Sequence, residues 1–271
     1  MMLNRTYPVV EIIAPAGKIK NPAELEHIDQ MLKSWGYQAR FGQYLLGEHA
    51  FLSNTAENRF KDLNTALRNH DSNIIWCLRG GSGASELLPY LSAAKKPSHA
   101  KLFLGFSDIT ALHLFFTQKW GWTTYHGPNA RQTAMNEIDN ESVKRVKNLF
   151  ENTLIPPPLL NLSGKFTGGN LSIIASTLGT PYQIKTDNKI LFLEELNEPA
   201  YKIRRMLIQL EQAGLFAHIK ALVLGDFMHN DVNERKLIQA ELEVFIKDKH
   251  IPTRVTSYIG HGKTNYIIPI N

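Results

Sequence analysis

Ser107 is the residue of this chain best placed to do chemistry. In Leu102-Phe103-Leu104-Gly105-Phe106-Ser107-Asp108-Ile109-Thr110-Ala111-Leu112 it stands at the turn between an apolar run and a stretch of helical spacing. A serine in that position is lifted above a sheet edge. The helix that follows aims free N–H groups, and the positive end of its dipole, at any negative charge that develops beside the hydroxyl. This is the placement of an acyl-transfer nucleophile. The pattern stops short of G-x-S-x-G, because Ile109 stands where the second glycine would be. The competing reading makes Ser107 a helix N-cap, with Asp108 adding charge to the first turn. A second turn, Leu78-Arg79-Gly80-Gly81-Ser82-Gly83, follows another apolar run and would bring backbone N–H groups to the same edge, where they could form an oxyanion hole with the N–H of Asp108. That turn has neither of the glycine spacings that cradle phosphates, G-x-x-x-x-G-K-[ST] or G-x-G-x-x-G.

A serine hydroxyl needs a base, and ten histidines are available. Two follow apolar runs in glycine-containing loops: His126 in Tyr125-His126-Gly127-Pro128 and His261 in Gly260-His261-Gly262. Residue chemistry leaves both open, and either could instead be a hydrogen-bonded structural histidine. His229, in His229-Asn230-Asp231, is a metal or surface candidate. The run Ile190-Leu191-Phe192-Leu193 ends in Glu194-Glu195, either of which could hold an imidazole in one tautomer. Successive strand residues face opposite sides, so only one of the two should point at a given site.

These groups need a scaffold, and the apolar spacing supplies one. Val9 to Ala14, Asn73 to Leu78 and Lys101 to Phe106 read as buried strands. They alternate with helical stretches Ala23 to Trp35, Ala56 to Arg68, Ser85 to Leu91 and Asp108 to Gln118, which predicts an α/β unit with a mostly parallel, doubly covered sheet. Ile155-Pro156-Pro157-Pro158-Leu159 cannot be helix or inner strand and reads as a linker. Beyond it come strands Ile190 to Leu193, Ala221 to Gly225 and Thr253 to Ile259, with helices Tyr201 to Ala213 and Glu234 to Lys249. The expected division is residues 1–150 carrying the nucleophile, a linker over 151–164, and 165–271 carrying the glutamate and histidine candidates.

A length of 271 residues and a 43% hydrophobic composition suffice for two cores. Basic and acidic residues number 30 and 25, a mild excess without a basic block, which argues against a nucleic-acid partner. The single cysteine, Cys77, excludes an internal disulfide framework and a cysteine-held zinc. Val9 to Ala14 is too short and interrupted for a secretory signal, and no run approaches membrane-span length. A cytoplasmic protein with no membrane association is expected.

Several separated motifs together resemble one family, the L,D-carboxypeptidases of murein recycling, a serine-peptidase family that also includes the microcin C self-immunity peptidases. They are Arg79-Gly80-Gly81-Ser82-Gly83 with Leu87-Leu88-Pro89, Gly105 to Leu112, Tyr125-His126-Gly127-Pro128, Gly168-Gly169-Asn170-Leu171 with Leu178-Gly179-Thr180, Phe192-Leu193-Glu194-Glu195 with Glu198-Pro199-Ala200-Tyr201, and Gly260-His261-Gly262. The resemblance covers essentially the whole chain. It implies a flavodoxin-like N-terminal domain, a smaller barrel-like α/β C-terminal domain, a site between them and a homodimer. It also implies a Ser107, Glu194, His261 triad with an oxyanion hole from the N–H groups of Gly81 and Asp108, and no metal or organic cofactor. The implied activity is removal of the terminal D-alanine from a murein tetrapeptide. Two departures bear on substrate: Ser82 stands where murein-acting members commonly carry an aromatic residue, and Arg204 where the family usually has Asp. The alternatives are hydrolysis of a peptidyl- or aminoacyl-nucleotide conjugate by the same triad, and a binding module that has lost turnover. The family pattern also runs on past Ile268-Pro269-Ile270-Asn271, so a shortened final strand is expected.

Overall fold

The computed structural model describes residues 7–155, 157, 162–247 and 249–271. Most of the proline-rich stretch expected to be a linker lies outside the described residues.

The first α/β unit contains β1 (Val9–Ile13), α1 (Glu24–Ser34), β2 (Gln38–Phe41), α2 (Ala56–Arg68), β3 (Ser72–Cys77), α3 (Leu88–Ala93), β4 (Leu102–Gly105), α4 (Thr110–Phe115), β5 (Thr124–His126), α5 (Ala130–Ala134) and α6 (Asn140–Phe150). Strands β2, β1, β3, β4 and β5 lie side by side in that order and are all parallel, the flavodoxin order. A parallel sheet must be covered on both faces. One face packs Ile13, Ile75 and Phe103 against Leu63, Leu88 and Leu112 from α2, α3 and α4. The other packs Val10, Ile12, Trp76 and Leu104 against Ile28, Leu32, Val146 and Phe150 from α1 and α6.

The second unit contains β6 (Phe166–Asn170), α7 (Leu171–Ser176), β7 (Ile190–Leu196), α8 (Ala200–Gln212), β8 (Ala221–Met228), α9 (Val232–Lys247) and β9 (Thr253–Val255). Its described strands form a parallel sheet in the order β6, β7, β8, β9. Leu191, Leu193, Leu222 and Leu224 face α7 and α8.

β10 (Ile268–Ile270) then crosses back. It pairs antiparallel with β5, at the edge of the first sheet, through Ile268 opposite His126 and Ile270 opposite Thr124. Its side chains join Phe166, Phe192 and Val223 of the second unit. One three-residue strand thus hydrogen-bonds to one sheet and packs on the other. Pro269 fits there because an edge strand needs no N–H on its open side.

Parallel order puts the carboxyl ends of β1, β3, β4 and β5 on one edge, where their loops meet those leaving the second sheet. Leu114 of α4 enters the core formed by Leu171 and Ile174, and the Asn170 N–H donates to Thr110 Oγ1 at 3.0 Å.

Candidate active site

Ser107 is the first residue of a tight 3₁₀ turn, Ser107–Ile109, that leads from β4 into α4. Its φ is +63°, a left-handed conformation that an L side chain adopts only at a cost of about 1–3 kcal/mol. Ser107 does not cap the helix: Phe106 occupies that position, and no side chain bonds back to the first turn. The Asp108 carboxylate instead accepts the N–H of Ala84 at 2.8 Å, tying the serine turn to the glycine turn after β3; burial raises its pKa. Gly80 closes the approach between the two turns. A Cβ there would stand 2.9 Å from Ser107 Cβ and 3.1 Å from its Oγ, so a side chain would displace the serine. Gly81 and Asp108 line the same cleft as Ser107. The first turn of a helix has no internal acceptors for its N–H groups, so that of Asp108 is available for a ligand.

The second unit contributes the other side. Pairing between β7 and β8 shifts register between Leu193 and Glu195, and the two carboxylates leave opposite faces of β7, Glu194 packing on Gly225 and Gly260 and Glu195 bonding to α7. Glu194 is wholly buried, and its Oε2 lies 2.6 Å from His261 Nδ1. A carboxylate can only accept, so Nδ1 carries the proton and Nε2 is left with its lone pair. Glu194 Oε1 has no hydrogen-bond partner among the described residues. Burial alone would lower the His261 pKa. The charge and hydrogen bond of Glu194, with Glu195 and Asp226 behind it, outweigh burial and raise the pKa above 6.5. The Phe106 ring packs on the imidazole with ring centroids 4.8 Å apart.

Gly260 makes this loop possible. Its φ is +128°, and a Cβ on it would stand 3.1 Å from Asp226 Cβ and 3.2 Å from Glu194 Cβ. Asp226 fixes the other end of the loop by accepting the Gly262 N–H at 3.0 Å, and burial raises its pKa to about 6.

Glu195 leaves the opposite face of β7 from Glu194, as strand alternation would have it. Its Oε1 accepts from Asn170 Nδ2 at 3.0 Å and its Oε2 from Ser172 Oγ at 2.7 Å, and it lines the cleft. His126 lies outside that lining. It is completely buried against Phe106 and Phe192 between the two units, neither ring nitrogen has a partner among the described residues, and burial lowers its pKa well below 6.5. His229 is remote from the cleft lining, its Nδ1 accepting from the Asp231 N–H at 3.0 Å. No group of three or more metal-ligating side chains occurs among the described residues.

The cleft has a volume of about 420 Å³, within the range of small-ligand sites. Its wall on the first unit carries Arg79, Asn129 and Arg131; the wall on the second carries Asn170, Glu195 and Glu198. Sequence reasoning missed Arg131 and Asp226, and met Glu198 only as part of a family motif with no role at the site. Only Asp226 left a signal, as the first charge after the apolar run Ala221 to Gly225.

A left-handed serine at a strand end and a histidine held by a buried glutamate line one cleft, residue types with which a serine hydrolase could work. Residues 10–127 match the LD-carboxypeptidase N-terminal domain of peptidase family S66, and residues 163–271 match the C-terminal domain. The chain belongs to this family and is a serine-type carboxypeptidase. It is 35% identical to a Rickettsia conorii protein that carries the name carboxypeptidase, over 94% of this chain and 84% of the relative. It is 29% identical to the murein tetrapeptide carboxypeptidase of Pseudomonas aeruginosa, over 96% and 90%. Among solved structures it superposes on the muramoyltetrapeptide carboxypeptidase of Oxalobacter formigenes with a TM-score of 0.81 and 29% identity, covering 97% of this chain and 92% of the other. An MccF-like protein from Streptococcus pneumoniae shares the fold, with a TM-score of 0.82 at 23% identity and coverage of 98% and 95%. No helix among the described residues is long and apolar enough to cross a membrane.

Proposed function

We propose that this carboxypeptidase removes the terminal D-alanine from a murein tetrapeptide, with Ser107 as nucleophile, His261 as general base and Glu194 orienting the histidine. The observation that carries this reading is the 2.6 Å contact of buried Glu194 with His261, which lines the same cleft as the left-handed Ser107. His261 Nε2 takes the proton of Ser107 Oγ as the oxygen attacks the carbonyl that precedes D-alanine. The Gly81 and Asp108 N–H groups hold the oxyanion. Collapse breaks the C–N bond, His261 gives its proton to the departing amine, and an ester to Ser107 remains. Water then attacks that ester, again losing its proton to His261, and the tripeptide leaves with its new carboxylate. Ser107 and the oxyanion donors come from the N-terminal unit, Glu194 and His261 from the C-terminal one, so the relative placement of the units governs turnover. The division at residues 1–150, 151–164 and 165–271, a cytoplasmic location and a homodimer belong to the same proposal.

Incubation with a defined murein tetrapeptide, followed by mass spectrometry, should show D-alanine and tripeptide in equal amounts, and Ser107→Ala should show neither. No release by the wild-type protein would end this reading. A second reading, hydrolysis of a peptidyl- or aminoacyl-nucleotide conjugate, draws on Ser82, an exposed small residue beside Gly81 where murein-acting members commonly carry an aromatic. Side-by-side rates on the two substrates decide between them.

A further inference from the structure

Arg79 immediately precedes Gly80, the glycine packed against Ser107, and lines the cleft. It is half-buried, and its Nη1 donates to the Lys18 carbonyl at 2.7 Å. Among the described residues no carboxylate pairs with it. Its neighbour on the same wall, Arg131, is committed: Nε binds Glu24 at 2.9 Å and Nη1 binds Glu137 at 2.7 Å. Arg79 thus has no ion-pair partner among the described residues; burial and the proximity of Arg131 lower its pKa, and the charges of Glu24 and Glu137 offset this only in part. A guanidinium has five N–H donors in a planar fork that matches a carboxylate, and the one hydrogen bond to Lys18 leaves most of them free. The opposite wall carries Glu195 and Glu198, which repel an anion. On the Arg79 wall, Asp108 is tied to the Ala84 N–H and Glu137 to Arg131, so the guanidinium of Arg79 is the group left to draw a substrate carboxylate.

We infer that Arg79 is the anchor for the carboxylate of the departing C-terminal residue, and so the residue that restricts this site to the end of a peptide. This rests on Ser107 being the nucleophile. In a peptide the terminal carboxylate is separated from the scissile nitrogen by the α-carbon alone, so a scissile carbonyl over Ser107 places that carboxylate beside the residue adjoining Gly80. An internal peptide bond presents an amide there and leaves the guanidinium desolvated without an anion, which disfavours binding.

The test separates binding from turnover. In a Ser107→Ala background, calorimetry with the murein tetrapeptide and with its C-terminal amide should show the free acid binding about 10- to 100-fold more tightly. Arg79→Met should reduce that preference to less than about twofold by weakening the acid alone, and Arg79→Lys should restore part of it. In the Ser107 enzyme, Arg79→Met should act mainly through KM. Melting curves of each variant check that the fold is kept. Equal binding of acid and amide, no binding of either, or a preference that survives Arg79→Met would each overturn the anchor. Should the wild-type enzyme fail to release D-alanine while the acid preference stands, the murein reading falls and the anchor remains.

Discussion

The two ends of the first sheet carry buried charge in opposite ways. At the amino end, Glu11 Oε1 accepts from Arg40 Nη1, Asn69 Nδ2 and Ser72 Oγ, at 3.0, 2.8 and 2.7 Å. Lys101 Nζ closes the group on the Ala66 carbonyl at 2.6 Å and on Ser72 Oγ at 3.2 Å. The carboxyl end has a serine at φ +63° and an arginine without a counter-ion among the described residues, and across from it the second unit holds a buried glutamate with an oxygen unpartnered there. The cleft at the amino end is the larger, about 840 Å³ against about 420 Å³, but it holds none of the candidate catalytic residues, and the Asp71 and Lys101 that line it are already engaged by Arg40, Ala66 and Ser72. Size is therefore a poor guide. A closed network holds a fold together, whereas strain and unspent hydrogen-bonding capacity mark the place where a ligand completes the structure.

The contrast predicts effects on activity at one end and on stability at the other. Ser107→Ala should lower kcat on the tetrapeptide on the order of 10⁶-fold with little change in Tm. Glu194→Gln removes the charge that fixes Nδ1–H and should lower kcat by about 10⁴-fold, again with the fold intact. Glu11→Ala reverses the pattern: it strands Lys101 and the donors of Asn69 and Ser72, and should cost about 3 kcal/mol in denaturant unfolding while kcat of the folded enzyme holds. An effect of Glu11→Ala on kcat at full occupancy of the folded state would erase the distinction between the two ends.

Smaller effects sharpen it. His261 must be neutral to act as base, and its pKa lies above 6.5, so kcat/KM should fall as pH drops through a value above 6.5. Asp226→Asn removes one of the charges that raise that pKa and should move the acid limb to lower pH by less than about one unit. Asp226 itself has a raised pKa of about 6, so its ionised form opposes folding above that pH. The same variant should therefore gain more Tm at pH 8 than at pH 5. Last, His126→Phe removes two ring nitrogens unpartnered among the described residues from between Phe106 and Phe192, and should raise stability by about 1 kcal/mol without altering kcat. A comparable loss of stability would mean that those nitrogens are bonded in solution.

Much of the scaffold was legible because apolar runs and helical periodicity are local signals. The helix expected over Ala56 to Arg68 occupies those residues, and the strand expected over Asn73 to Leu78 lies over Ser72–Cys77. Elements shaped by their neighbours were not legible: β6 contains Gly168-Gly169, β10 contains Pro269, and β2 is a polar edge. At the site, the serine turn could be read from its flanks. Residue chemistry alone left the choice between His126 and His261 open, since both follow strands in glycine-containing loops; the family motifs pointed to His261, and the folded chain places a carboxylate against it. The alternation rule held, since Glu194 and Glu195 leave opposite faces of β7, but it could not say which of the two would meet the histidine.

The return of β10 to β5 also has a consequence for how the enzyme comes into being. Translation delivers the serine turn early and the loop of His261 late, and that loop is moored on its far side only once residues 268–270 have added themselves to the first sheet. A nascent chain halted anywhere before that strand would hold Ser107 without the mooring of its histidine loop. Completion of the site is thereby ordered: the serine turn can fold first, and the histidine loop is fixed from its far side only after β10 has paired with β5.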